Sequence, residues 1–223
     1  MVFHTNTYIS YNYLMQKCDL QKLSVMYKCF ASLYGAITSD DAFEFVREYA
    51  PSISKMDFTN DMLVRYNNKH PGYKIKKYDA RHFLIYSDIY SEQEAEELIN
   101  NQKGDKYYHP KNYDEFISYD KDLKWYNDNL ILAKDTKHHL RDVLNSSPRF
   151  EEKFLLELQR LTNLGRDEND YLNYIMSLGI DVDKYDILVK KLIGLFREFE
   201  IYSKRHILKG FSTREIWKQK GEL

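Results

Sequence analysis

Residues 38–86 read TSDDAFEFVREYAPSISKMDFTNDMLVRYNNKHPGYKIKKYDARHFLIY, and a helical period gives way within them to a strand period. Thr38 and Asp41 stand at capping-box spacing, and Phe43, Val46, Tyr49 and Ala50 then share one helical side. Pro51 closes that helix, because a proline disfavours helical backbone in the residue before it. A further helix is expected from about Thr59 to Asn68, with Met62, Leu63 and Tyr66 turned inward. His70-Pro71-Gly72 forces a turn, after which Tyr73 and Ile75 alternate with Lys74 and Lys76. Alternation resumes around Phe83 and Ile85, so two strands are expected to join near Tyr78-Asp79-Ala80-Arg81.

Upstream, Asp19 is a good N-cap for a helix carrying Leu20, Leu23, Met26, Tyr27, Phe30 and Leu33, which Gly35 stops. Ala36-Ile37 is apolar and short enough for a minimal first strand. The order helix, strand, helix, helix, strand, strand is that of a winged helix-turn-helix. In that fold the third helix is the recognition element, which makes Asn60, Arg65, Asn68 and Lys69 candidates for contact with base edges or backbone. Lys74, Lys76, Lys77 and Arg81, with His82, form the basic cluster of the hairpin or wing, within reach of phosphate. Asp57 and Asp61 oppose DNA binding by their sign, and a lysine-rich hairpin edge also serves simply to prevent strand-to-strand aggregation. Winged modules bind proteins as well as DNA, so the fold alone does not choose the partner.

Ser91 and Glu94 form another capping box and open a short acidic helix, which Asn100 to Gly104 closes. The domain boundary is expected there, dividing the chain into 1–101, a winged-helix-like domain with an N-terminal extension, and 102–223, a bundle of amphipathic helices. Within the second part, Pro110 and Asn112 start a helix through Tyr119, Trp125 and Tyr126 lie in a short stretch, and Leu130 to Leu144 forms another helix. Pro148 interrupts. Helices through Phe150 to Leu161 and Tyr171 to Leu178 end near Gly165 and Gly179. Asp181 or Asp183 is expected to cap a long last segment on which Ile187, Leu188, Leu192, Leu195, Phe196, Phe199 and Tyr202 recur at helical spacing. Such short helices are stable only by packing on one another. The fold class is mainly α with one small β-hairpin.

Two stretches carry a family resemblance. Lys106-Tyr107-Tyr108-His109-Pro110, with Asp114-Glu115-Phe116 and Tyr119-Asp120, is similar to a pattern in uncharacterised bacterial proteins related to the SEC-C motif-containing family. Tyr202-Ser203-Lys204-Arg205-His206 and Lys209 to Ile216 resemble the same proteins, as does Leu33-Tyr34-Gly35 between helices. The resemblance implies structural motifs rather than an activity. SEC-C proteins end in a cysteine-rich zinc knuckle, and no cysteine follows Cys29 here, so that metal-dependent contact is not expected.

Composition limits the function classes. With 43% hydrophobic and 30% charged residues among 223, the chain has an ordinary globular make-up and room for two domains. A net charge of −1 confines any nucleic-acid affinity to a local patch. Its 20 tyrosines, with many Lys, Asn and Ile, fit an AT-rich genome, although tyrosine also suits binding surfaces. Cys18 and Cys29 match no zinc spacing and are read as reduced thiols. Met1 to Tyr13 shows no basic region before an apolar run, and no stretch approaches the roughly 20 apolar residues of a membrane span, so a cytoplasmic protein without membrane contact is expected.

Motifs for chemistry are missing. The eight glycines form no phosphate loop, and His138 and His139 are adjacent rather than one helical turn apart, as a shared metal would require. Asp181-Val182-Asp183 is explained by capping. No catalytic residue, metal, cofactor or small-molecule substrate is therefore expected. The sequence points to a non-enzymatic protein that binds DNA or a protein partner in a regulatory, phage or plasmid setting. The alternative is a protein inhibitor or adaptor without nucleic-acid binding.

Overall fold

The computed structural model describes residues 21–66, 68, 70–87, 90–120 and 130–222. Cys18, Asp19, Leu20, Lys69, Trp125 and Tyr126, named above, lie outside them. The chain is mainly helical with one three-stranded antiparallel sheet. Among the described residues no helix is long and apolar enough to cross a membrane.

Two compact units account for the packing, Met1–Glu96 with His109–Asp122, and Glu97–Tyr108 with Leu123–Leu223. The division thus falls inside a helix rather than at 101/102, and the segment from His109 belongs with the first unit.

In the first unit, α1 is helical over 21–34. Then come β1 (Ala36–Thr38), α2 (Ser39–Tyr49), α3 (Lys55–Arg65), β2 (Lys74–Tyr78) and β3 (Arg81–Ile85). β3 lies between β1 and β2, with Ile37 opposite Leu84 and Lys76 opposite Phe83. Thr38 caps α2 by accepting the Asp41 N–H. α2 buries Ala42, Phe45 and Val46, leaving Phe43 and Tyr49 half-buried.

α3 begins at Lys55, four residues before the expected start. The cause is a capping box, in which the Ser54 hydroxyl accepts the Asp57 N–H while Asp57 accepts the Ser54 N–H. The inward side of the helix runs through Phe58 and Met62, one turn apart, and Leu63, expected inside but about 100° further round, is 54% exposed.

The hairpin turns at Asp79 and Ala80, whose φ values of 45° and 65° give the two left-handed positions of a tight hairpin turn. Beneath the sheet, Tyr27 meets Phe58 and Tyr73 edge-on at 5.8 and 5.6 Å, and Phe30 meets Phe116 at 4.9 Å. Each such buried ring contributes about 1.5–3 kcal/mol relative to exposure. Phe116 comes from α5 (Tyr113–Ile117), which Asn112 caps.

α4 (Glu92–Asn101) starts at the predicted Ser91–Glu94 capping box and crosses the division between the units. In the second unit follow α6 (Leu130–Leu144), α7 (Pro148–Leu164), α8 (Glu168–Ser177), α9 (Asp186–Tyr202) and α10 (Thr213–Lys220). Pro148 opens α7 rather than merely breaking the chain, because a first-turn N–H needs no partner and Ser147 supplies the cap. α9 packs against each of the other four. Its buried residues are Leu188, Val189, Leu192, Phe196 and Phe199, and Phe196 stacks on Tyr171 at 4.5 Å.

Two details of α9 differ from expectation. The Asp181 carboxylate accepts the N–H groups of Asp183 and Lys184 in the preceding turn, so the helix starts only at Asp186 without a side-chain cap. Ile187 lies off the buried side defined by Leu188, Leu192 and Phe196 and is 74% exposed.

Residues 102–108 and 204–211 meet within this unit. Tyr108 N–H donates to the Lys209 carbonyl at 2.9 Å, Tyr108 meets Phe211 edge-on, and the Lys204 ammonium lies 3.1 Å from the Tyr108 ring centroid. Lys103 N–H donates to the Ile207 carbonyl at 2.8 Å, and the Gln102 side chain reaches the His206 carbonyl.

Candidate partner-binding surface

α3 and the β2–β3 hairpin carry the residues singled out from sequence, and these do not form one uniform cationic face. Asn60 is exposed on α3. Asn68 is exposed too, but its amide donates back to the Val64 carbonyl at 2.8 Å. Arg65 is turned into the unit: Nε donates to Asp61 Oδ2 at 2.7 Å, Nη1 to the Tyr73 hydroxyl at 2.9 Å, and the guanidinium lies 5.6 Å from the Tyr27 ring centroid. These contacts occupy the fork that a base edge would need. Lys69 lies outside the described residues.

The outward face of α3 is instead apolar. Met56 is 71% exposed, Leu63 54% and Val64 72%, with Thr59 and Asn60 between them. Positions 56, 60, 63 and 64 share a side of the helix by their three- and four-residue spacing. Lys55 at its start pairs with Asp40 at 3.2 Å, and Asp57 is engaged in the capping box.

On the hairpin, alternation places Lys74 and Lys76 on one strand face, yet they differ electrostatically. Lys76 Nζ lies 2.6 Å from Glu92 Oε1 at the start of α4. The pairing raises the Lys76 pKa and lowers that of Glu92. Lys74 is partly buried, and that burial pushes its ammonium pKa down. Lys77 and Arg81 project near the turn and are exposed, with Arg81 resting over the Phe83 ring. Among the described residues, the hairpin thus has Lys77 and Arg81 exposed at its tip, and the Lys76–Glu92 pair with the partly buried Lys74 at its base.

Leu63 and Met56 are the surface residues that the sequence reading missed. The signals available were the Ser54-Lys55-Met56-Asp57 cap, which sets the helix start, and the four-residue spacing of Phe58 and Met62, which sets its buried side. The Asp61–Arg65 pair was also legible as an acid four residues before a base on one helix. Among the described residues no group of three or more His, Cys, Asp or Glu side chains could hold a metal ion. What the surface offers chemically is contact area and charge.

No protein-family model matches the chain, and no curated protein or solved structure matches it.

Proposed function

We propose that the first unit is a winged helix-turn-helix module on a helical second domain, and that the protein acts by binding, docking a protein partner on the outward face of α3. The order α1-β1-α2-α3-β2-β3 and the sheet order β1-β3-β2 support the winged reading. The observation that carries the docking reading is the exposure of Met56, Leu63 and Val64 together on the helix that such modules present. Clustered exposed apolar side chains mark interaction surfaces more often than isolated ones do, and buried apolar anchors rimmed by polar groups are the usual centre of a protein interface. A nucleic-acid reader would instead require cations there.

A second reading has its own support. Lys77 and Arg81 at the hairpin tip suit contact with a DNA backbone, with α3 lying alongside.

Affinity capture with the full chain separates the two. A partner retained by wild type is expected to be lost on Leu63→Glu or Val64→Glu and kept on Lys77→Glu/Arg81→Glu. Because both α3 positions are exposed, these variants retain the wild-type circular dichroism spectrum. Under the DNA reading the pattern reverses: duplex binding weakens steeply with salt, and each lost phosphate contact reduces the log–log salt slope by about 1. Capture unaffected by either α3 substitution would refute the docking role.

A further inference from the structure

Where β2 follows α3 and passes the start of α4, the first unit has an open cleft of about 460 Å³, within the range of roughly 300–1,000 Å³ typical of small-molecule sites. Tyr66, His70, Tyr73 and Ile75 line its walls. His70 and Tyr73 are stacked almost parallel, 4.8 Å between centroids and 4° between planes. The Nε2 atom of His70 is buried without a hydrogen-bond partner.

Charge in the cleft comes from Lys74, Lys76 and Glu92. Lys76 and Glu92 neutralise one another at 2.6 Å. Among the described residues, Lys74 has neither an ion pair nor a hydrogen bond from its ammonium, although the side chain is partly buried. Glu92 attracts Lys74 as well but is held in contact by Lys76, so the two lysines and one carboxylate leave one positive charge over. A partly desolvated cation in excess is costly, and a single bound anion offsets that cost. A dianion would meet repulsion from Glu92, whereas one negative charge balances the one uncompensated lysine. The walls are planar and aromatic, which favours a flat apolar body attached to that charge.

We propose that this cleft binds a small aromatic monocarboxylate, with its carboxylate on Lys74 and its ring against Tyr66 and His70, the latter backed by the buried Tyr73 ring. The site is separate from the outward face of α3, so this proposal and the docking reading stand or fall independently. Sequence reading gave no hint of it, because the lining residues come from the end of α3, the following turn, β2 and the first turn of α4.

The test is an amide ¹H–¹⁵N titration of the full chain with salicylate, indole-3-acetate and phenylacetate, each beside its neutral carboxamide, and with inorganic phosphate. At least one carboxylate is expected to give saturable shifts confined to residues 66–76 and 87–94. The matching carboxamide and the variant Lys74→Met are expected to bind about tenfold more weakly or worse, as loss of one charge-assisted contact predicts. Lys74→Gln, closer in polarity, provides the same readout should the methionine variant fail to fold. Phosphate is expected not to compete. Absence of saturable shifts with all three carboxylates up to about 10 mM, a limit weaker than any useful ligand of this size, would overturn the proposal. Equal binding of carboxamide and carboxylate, undiminished binding in a folded Lys74 variant, or displacement by phosphate would overturn it as well.

Discussion

Replacing Arg65 by methionine is expected to unfold the protein more easily rather than merely to alter a surface. The side chain is 19% exposed and its partner Asp61 9%, and the Arg65 fork also holds the Tyr73 hydroxyl. Removing one member of a buried ion pair costs about 3–5 kcal/mol, because the other charge is left without compensation. Residual solvent access screens part of this, bringing the expected loss to about 2–3 kcal/mol. For a chain of this size about 2–4 °C accompanies each kcal/mol, so the melting temperature should fall by about 4–12 °C. Thermal and urea denaturation followed by circular dichroism measure the loss. Asp61→Asn in the same background should then recover about 1 kcal/mol or more, since the stranded carboxylate is gone. An Arg65→Met variant that melts within about 1 °C of wild type, or a double variant that loses the full sum of the two single changes, would refute the assignment of Arg65 to the interior.

Three further outcomes follow from backbone and burial. Ala80→Gly should raise stability by about 0.5–1 kcal/mol in denaturant melts, because Ala80 holds φ 65° in the hairpin turn where glycine has no Cβ conflict. Gly165→Ala should destabilise more than Gly179→Ala: both glycines have left-handed φ, but a Cβ at 165 would lie 3.0 Å from Ile207 Cγ2 while one at 179 meets nothing within 4 Å. Comparative melts give the difference, and equal losses would remove the steric part of the argument. Burial pushes the Tyr49 and Tyr174 pKa values up from 10.0 to about 12, and that of Tyr171 well above its ordinary value. The unfolded chain releases these protons near pH 10 and the native state keeps them, so their contribution is complete below pH 10 and is lost as pH rises toward 12. Tyrosinate absorbance should therefore appear for these rings together with loss of ellipticity, and their titration in a fully folded protein near pH 10 would contradict the burial.

How much of this was legible in the chain varied with the kind of signal. Local hydrogen-bonding chemistry read well: Thr38, Ser91, Asn112, Gly165 and Gly179 mark helix ends where side chain or φ demands them. α3 starts at the Ser54 cap, ahead of the expected Thr59, and of the adjacent apolar pair Met62-Leu63 only Met62 falls on the Phe58 side, so Leu63 is on the surface. On α9 the expected stripe holds at Leu188, Leu192, Phe196 and Phe199, which are buried, while its two end members Ile187 and Tyr202 are exposed. The surface was less legible than the fold. Arg65, Lys74, Lys76 and Lys77 are equivalent as letters, and only their distances to Asp61, Tyr73 and Glu92 separate an interior clamp, an uncompensated cation, a neutralised pair and an exposed charge.

The clasp between Lys103, Tyr108 and the segment Ile207–Lys209 sets an order on biosynthesis. Its two sides are separated by about a hundred residues, which at about 5–20 residues per second take roughly 5–20 s to make. The first unit has all its pieces once Asp122 has left the ribosome, whereas Lys103 and Tyr108 must then wait for the last tenth of the chain to supply their acceptors. Ribosome-stalled chains ending before Ile207 would thus hold a first unit able to close and a second that still lacks its closing strap.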